Sequence, residues 1–237
     1  MPITAFKALI AQHWPATCVL CRQRSLDCSS AGLIECCPSC QPTWPLIDCS
    51  CRCCGVALEA EVALCNRCLM ARPAFHTCWP GFAYVAPIQT LVQRFKFQSD
   101  LAAGRVLAGW LSQRLDGLGA PMPDCLVPVP LHWWRHLRRG FNQSEWLCHD
   151  LCQLTPGLRW QRLLKRQHRT HPQVGLASSQ RMTNLIGAFA VRRGRRVPPY
   201  IALVDDVMTT GATLHECARV LLDAGAMRVD VWVVARS

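Results

Sequence analysis

Four Cys-x-x-Cys pairs stand near the start of the chain, at Cys18/Cys21, Cys37/Cys40, Cys51/Cys54 and Cys65/Cys68. Thirteen of the seventeen cysteines in the 237 residues fall between Cys18 and Cys78. A segment this short and this rich in cysteine cross-links itself or collects metal. The N-terminus, MPITAFKALIAQHW, has one lysine and no long apolar run, so it does not read as an export signal. Ile3, Phe6, Leu9, Ile10 and His13 suit a short amphipathic helix instead. Disulfides are kept reduced in a chain that is not exported, and metal ligation is the expectation.

Each CxxC turn presents two thiolates to one ion, and two such turns supply a soft tetrahedral set that selects zinc. Gly55, directly after Cys54, permits the tight turn of a zinc knuckle. The intervals of 15 residues between Cys21 and Cys37 and of 10 between Cys54 and Cys65 are close to zinc-ribbon spacings. We expect two four-cysteine zinc sites, paired in sequence order. Cys18, Cys21, Cys37 and Cys40 form one, and Cys51, Cys54, Cys65 and Cys68 the other. A cross-braced pairing would use the same residues, and the sequence does not exclude it. Cys36, Cys49 and Cys53 crowd the register, and Cys28 and Cys78 have no assigned partner. The rival redox reading is weaker, because the motif is repeated and no thioredoxin-like pattern surrounds it. Four protein ligands with no histidine and no open position make a structural site rather than a catalytic one.

The second constraint is IALVDDVMTTGAT, Ile201 to Thr213. Ile201, Leu203 and Val204 form an apolar run after Pro198 and Pro199, which reads as a buried strand ended by Asp205 and Asp206. Thr209, Thr210, Gly211, Ala212 and Thr213 make a hydroxyl-rich turn. A helix follows to Ala224, with Leu214, Cys217 or Ala218, Leu221 and Leu222 on one face and Gly225 beyond its end. A strand feeding a Gly/Thr turn and a helix N-terminus offers N–H groups and a dipole to an anion. Carboxylates would repel a phosphate, so the paired aspartates suit sugar hydroxyls or a metal held with them. The ligand that satisfies both is a sugar phosphate with free vicinal hydroxyls. The same string would also serve as a threonine-capped turn with two solvated aspartates.

Composition adds two limits. A net charge of +11, carried mostly by arginine, favours polyanionic partners without choosing among phosphates, nucleic acid and a membrane face. No apolar stretch of about 18 uncharged residues occurs, so no membrane insertion is expected.

Between these motifs the composition changes around Cys78 to Gly81. The boundary set there gives a cysteine-rich module at 1–78 and a second domain at 79–237. Phe82 to Val85 reads as a strand, and Ile88, Leu91, Val92 and Phe95 recur at helical spacing with Lys96 at the helix end. A helix over Leu101 to Leu115 turns Leu107, Trp110 and Leu111 inward. Cys125 to Val129 is another apolar strand, stopped by Pro130. The loop after it carries Trp133, Trp134, Arg135, Arg138 and Arg139, which reads equally as an anion-binding loop or a solvated basic one. Asn142 or Ser144 caps a helix whose face is Leu147, Leu151 and Leu154. Arg169 to Leu176 is irregular and suits a closing loop, Ser179 to Asn184 a short helix. Phe189 to Val191 reads as a strand, Arg192 to Arg196 as a basic turn, and Val229 to Val234 as a buried strand. Strands alternating with helices predict an α/β domain with a parallel sheet, its ligands beyond the carboxyl ends of the strands.

The stretch from Ile201 to Thr213 resembles the phosphoribosyl-pyrophosphate (PRPP) motif of type I phosphoribosyltransferases. The resemblance implies that Thr209, Thr210, Gly211 and Thr213, with Ala212 among them, hold the ribose 5-phosphate, and that Asp205 and Asp206 face the ribose hydroxyls. Ala202 stands where that family more often has a larger aliphatic residue. VPVPL and RRGFNQ around Pro128, Pro130 and Arg139 to Gln143 come first, then Arg169, Thr170 and Gln173, then Arg181 and Asn184, then VDDVMTTGAT. This ordered set resembles the ComF/GntX family over nearly the whole chain. That resemblance implies a type I phosphoribosyltransferase-like domain behind a zinc module. It implies a cytoplasmic role in natural transformation or DNA utilization, contact with single-stranded DNA and a helicase-like translocation partner. Aromatics interleaved with arginines around Trp133 would suit stacked bases. The alternative is an active phosphoribosyltransferase that moves phosphoribose from PRPP to a base or amine. Magnesium would then accompany PRPP, and Arg139 would hold the pyrophosphate.

Overall fold

The structure, a computed structural model, describes residues 17–24, 36–40, 44–60, 62–131, 140–167 and 185–237. The expected N-terminal helix, Cys28, the basic loop from Trp133 to Arg139, and the segments Arg169 to Leu176 and Ser179 to Asn184 lie outside those residues.

Among the described residues the elements run α1 (Asn66–Met70), β1 (Cys78–Ala83), α2 (Ile88–Gln98), α3 (Leu101–Gly117), β2 (Cys125–Pro128), α4 (Gln143–Leu154), β3 (Leu164–Arg166), β4 (Phe189–Val191), β5 (Tyr200–Met208), α5 (Ala212–Asp223) and β6 (Arg228–Arg236). Four strands lie side by side in the order β1, β6, β5, β2, parallel at every junction. The separate pair β3 and β4 is antiparallel. The parallel α/β sheet expected from the alternation of apolar runs and helical periods is what the chain forms.

Both faces of the sheet are covered, which is why its strands read as continuous apolar runs. On one face Ala202, Val204, Trp232 and Val234 pack with α2, α3 and α4. On the other, Ile201, Leu203, Val229, Val231 and Val233 pack with α5, β3 and β4. Ile88, Leu91, Val92 and Phe95 of α2 are fully buried, as their spacing predicts, and so are Leu107, Trp110 and Leu111 of α3. Each such side chain contributes about 2 kcal/mol from burial alone. Asp100 caps α3 by accepting from Ala103 N at 3.1 Å. At the end of α5, Gly225 N donates to Leu222 O and Ala226 N to Leu221 O, the paired bonds of a Schellman turn.

Two boundaries and one further strand differ from expectation. The first strand is not Phe82 to Val85 but Cys78–Ala83, because β1 is an edge strand where Pro80 costs no ladder partner on its open side. Gly81 is required there, since a Cβ would meet Val234 O at 2.8 Å. Strand β5 does not stop at the aspartates; it carries Asp205 and Asp206 inside it and runs to Met208 alongside β6. The three-residue β3 has too few residues to show a period and exists by pairing with β4.

The cysteine-rich segments pack on both faces. Cys18, Val19, Cys36 and Cys37 join the core under α2 and α3, and Arg94 donates to Val19 O. Cys51, Cys53, Cys54 and Cys68 join the core under β5 and α5.

Candidate functional site

Strand β2 ends its pairing with β5 at Pro128 opposite Val204, and Val129 N makes a last bond to Val204 O at 3.1 Å. Beyond that point, among the described residues, β5 has β6 as its one strand neighbour, so Asp205 to Met208 emerge past the sheet's shoulder. The crevice beyond the carboxyl ends of parallel strands is where such sheets hold ligands.

Three elements converge on the two aspartates. Asn142 caps α4 by accepting from Ser144 N and donates its own amide to Val129 O, both at 3.1 Å. That fixes Ser144 at the start of α4, where its Oγ donates to Asp205 Oδ1 at 3.0 Å. Asp206 N also donates to Asp205 Oδ1, at 2.9 Å. From the last turn of α2, Lys96 Nζ reaches Asp206 Oδ1 at 2.9 Å, and Val207 N donates to the same oxygen at 2.6 Å. The Oδ2 of each carboxylate has no protein partner among the described residues.

Burial and the neighbouring Asp206 carboxylate push the Asp205 carboxyl up, while Lys96 and the N–H and hydroxyl donors pull back, leaving it at about 7. Burial opposes the charge on Lys96, but the ion pair with Asp206, aided by Asp205, outweighs it and raises the ammonium above its ordinary value. The cluster therefore carries a firmly held cation beside one carboxyl poised near neutrality.

The hydroxyl turn follows directly. Gly211 precedes α5 with φ +76° and supplies no side-chain cap. The open N–H groups of the first turn of α5 are the anion-binding feature the sequence points to. Ala212 N has only a long contact of 3.4 Å to Thr210 Oγ1. No acidic residue stands in the first turn of α5, so nothing there opposes an anion.

The eight cysteines predicted as ligands gather as two groups, Cys18 with Cys21, Cys37 and Cys40, and Cys51 with Cys54, Cys65 and Cys68. Within each group the sulfurs all lie within 4.8 Å of one another, so either group could hold a metal ion, and pairing is in sequence order. Cys21 and Cys37 Sγ are 3.8 Å apart, and Cys54 and Cys65 Sγ 3.7 Å. A tetrahedron with metal–sulfur bonds of about 2.3 Å has edges of about 3.8 Å. Burial pushes the Cys18 thiol up, but N–H groups of Cys37, Cys21 and Leu20 bring it down to about 6. Cys51 is brought to about 6 in the same way, chiefly by the N–H groups of Cys54, Cys65 and Cys53. Each group thus has one sulfur prepared as a thiolate. Burial and the crowding of like charge push Cys68 well up, the penalty that a bound cation removes.

The fold brings Asp205 and Asp206 next to the turn Thr209–Thr213, while Arg139 lies outside the described residues. Two site residues went unrecognised in the sequence. In the sequence Ser144 reads as a capping alternative. Lys96 reads as a helix end, yet it continues the buried i, i+4 row Ile88, Val92, and a cation on an inward stripe signals a buried partner.

No family model matches the chain. Competence protein F of Haemophilus influenzae is 33% identical over 93% of this chain and 96% of that protein. The DNA utilization protein YhgH of Salmonella typhi is 34% identical over 97% of this chain and 93% of that one. Among solved structures, glutamine PRPP amidotransferase from B. subtilis is 18% identical, covering 60% of this chain and 30% of that chain with a TM-score of 0.40.

Proposed function

The chain belongs to the ComF family of competence and DNA utilization proteins, and from that membership we propose that it serves DNA uptake in the cytoplasm with a phosphoribosyl ligand bound at the end of β5. The observation that carries the ligand is the juxtaposition of Asp205 and Asp206 with the uncapped N-terminus of α5 across one short turn. The carboxylates suit ribose hydroxyls, and the turn from Thr209 to Thr213 suits the 5-phosphate. PRPP is the ligand of this class that also engages magnesium. The Oδ2 atoms, without a protein partner among the described residues, are hard oxygen donors that fit a magnesium ion shared with the ligand's own oxygens. Bound there, magnesium would neutralise pyrophosphate charge.

The two cysteine groups are read as zinc sites, because four soft thiol donors at tetrahedral spacing favour that ion. Zinc would act as a cross-link in a segment with little core of its own. The metal-binding module then extends to Cys78, and the phosphoribosyltransferase-like domain from Trp79 onward. The names of the relatives, the +11 charge and the aromatic-arginine loop at Trp133 to Arg139 support contact with single-stranded DNA, with a helicase-like motor as the partner the family suggests.

The test has two arms. Calorimetric titration of metal-loaded protein with PRPP and magnesium should give saturable binding, lost in the Asp205→Asn/Asp206→Asn variant. Binding of single-stranded oligonucleotides should weaken steeply with salt. No uptake of PRPP by the folded protein would remove the ligand reading, and no DNA affinity at low salt would leave a role through protein partners.

A second reading is turnover, and Asp205 favours it. A carboxyl titrating at about 7 beside the ribose site can accept a proton from an attacking base or amine. Release of pyrophosphate in the presence of an acceptor, abolished in the double variant, is the observation it requires.

A further inference from the structure

The second cysteine group and the hydroxyl turn share a set of bonds that the proposed function does not use. Arg236, the last residue of β6, is buried. Its Nε donates to Cys54 O at 3.0 Å, within the knuckle of the second group. Its Nη1 donates to Met208 O at 3.0 Å and to Thr209 O at 2.6 Å, and also reaches Ser237 O. Arg67 lies in α1 between the ligand cysteines Cys65 and Cys68, and its Nη2 donates to Thr210 O. The consecutive carbonyls of Met208, Thr209 and Thr210 are therefore all held by arginines, one tied to the knuckle and one in its helix.

The packing agrees with the hydrogen bonds. Ala74 N, just after α1, donates to His215 Nδ1 in the first turn of α5 at 3.0 Å. Cys78 Sγ lies 3.6 Å from Met208 Sδ, and Cys78 N donates to Cys53 O at 2.8 Å. Met208 in turn fills the space beside Gly211, where a Cβ would come within 2.6 Å of its Cε. The first cysteine group makes its contacts elsewhere, under α2 and α3, with Arg94 on Val19 O.

A peptide plane whose carbonyl is held on one side presents its N–H on the other. Holding Thr209 O and Thr210 O thus sets the direction of the N–H groups of Thr210 and Gly211, the donors of the turn. We propose that the second cysteine group, loaded with metal, is a clamp on the Thr209–Thr213 turn, acting through the positioning residues Arg236 and Arg67, so that its occupancy, and not that of the first group, decides whether the turn is organised for a phosphoryl ligand. The ligand part of this statement rests on the phosphoribosyl reading above; the clamp itself does not. Coupling of this kind is reciprocal, so a ligand on the turn slows metal release from the second group alone.

The experiment uses the full chain loaded with zinc. Amide hydrogen exchange of the segment 207–214 is compared in the wild type, Arg236→Met, the surface variant Arg67→Gln, Cys65→Ser and Cys40→Ser. The clamp predicts exchange about tenfold faster in the first three variants, with α3 unaffected in Arg67→Gln. Cys40→Ser leaves the segment at the wild-type rate. Arg67→Lys restores protection, because one ammonium suffices for one carbonyl, whereas Arg236→Lys does not replace a planar fork that serves several acceptors. Exchange in Arg67→Gln equal to wild type, or raised equally by Cys40→Ser and Cys65→Ser, overturns the clamp. PRPP with magnesium is then added during zinc release to a chromogenic chelator. Slowing of one of the two equivalents, lost in Arg67→Gln, is the expected result. PRPP binding of unchanged affinity in Arg67→Gln and Arg236→Met overturns the link to the ligand. If PRPP fails to bind the wild type while exchange still follows the second group, the phosphoribosyl reading falls and the clamp stands.

Discussion

At Asp206 a buried carboxylate is matched by one ammonium, with side-chain exposures of 8% for the aspartate and 19% for Lys96. Removing the cation alone strands the charge. Lys96→Met should cost about 3 kcal/mol, and the double change Lys96→Met/Asp206→Asn should recover most of it. Urea unfolding of the three proteins checks this; equal loss in both variants would mean that Lys96 acts by packing. At Asp205 the sign is different. Its carboxyl titrates at about 7 when folded and at 3.8 in the open chain, so between these values the folded state holds a proton that the unfolded state has released. Stability from this group therefore falls as pH rises from about 4 to about 7, by at most about 1.4 kcal/mol per pH unit, and is level above. Asp205→Asn removes the slope. Unfolding measured at pH 5 and pH 8 should show the variant gaining on the wild type at the higher pH, and a constant difference would count against a raised Asp205.

At the scale of elements, edge strand β1 shows how local rules bend at a sheet margin. Pro80 lies inside β1, and the structure accommodates it because, among the described residues, β1 pairs with β6 alone. Gly81 is the constraint that remains, set by the carbonyl of Val234 rather than by its own backbone preference. Gly81→Ala should lower the thermal midpoint by several degrees, because the neighbour to be displaced is main chain. A midpoint within about one degree of wild type would show that the edge yields freely. Helices α2 and α3 follow their sequence periods closely, since a buried stripe at i, i+3 and i+4 has no other arrangement that removes it from water. The aspartate strand β5 ran longer than its apolar stretch because pairing with β6 continues after the hydrophobic residues stop.

At the scale of the molecule, the two cysteine groups belong to two different cores. The first shares its core with α2, α3 and α4, the second with β5, α5 and β4. Removing metal from these groups should therefore loosen both faces of the sheet rather than a detached appendage. Chelation should lower the thermal unfolding midpoint of the whole chain in one transition, with two equivalents of zinc released on full unfolding. Calorimetry with metal analysis distinguishes this from an independent module, which would melt in a separate step and leave the sheet's transition in place.

Legible in the sequence were the two four-cysteine groups, the strand–turn–helix, the inward faces of α2 and α3 and the parallel α/β class. Each is written in a local pattern: Cys-x-x-Cys spacing, a carboxylate pair before a Gly/Thr turn, a 3.6-residue period. Ser144 and Lys96 could not be read off as site residues, because their partners lie 61 residues away at Asp205 for the serine and on β5 at Asp206 for the lysine. Nor did any pattern tie Arg67 and Arg236 to the turn, although Arg67 contacts a residue 143 positions distant. These pairings are set by the folded arrangement of strands and helices. A long cationic side chain reports its charge in the sequence, but the oxygen it serves is chosen by which strand ends and loops the folded sheet brings within its reach.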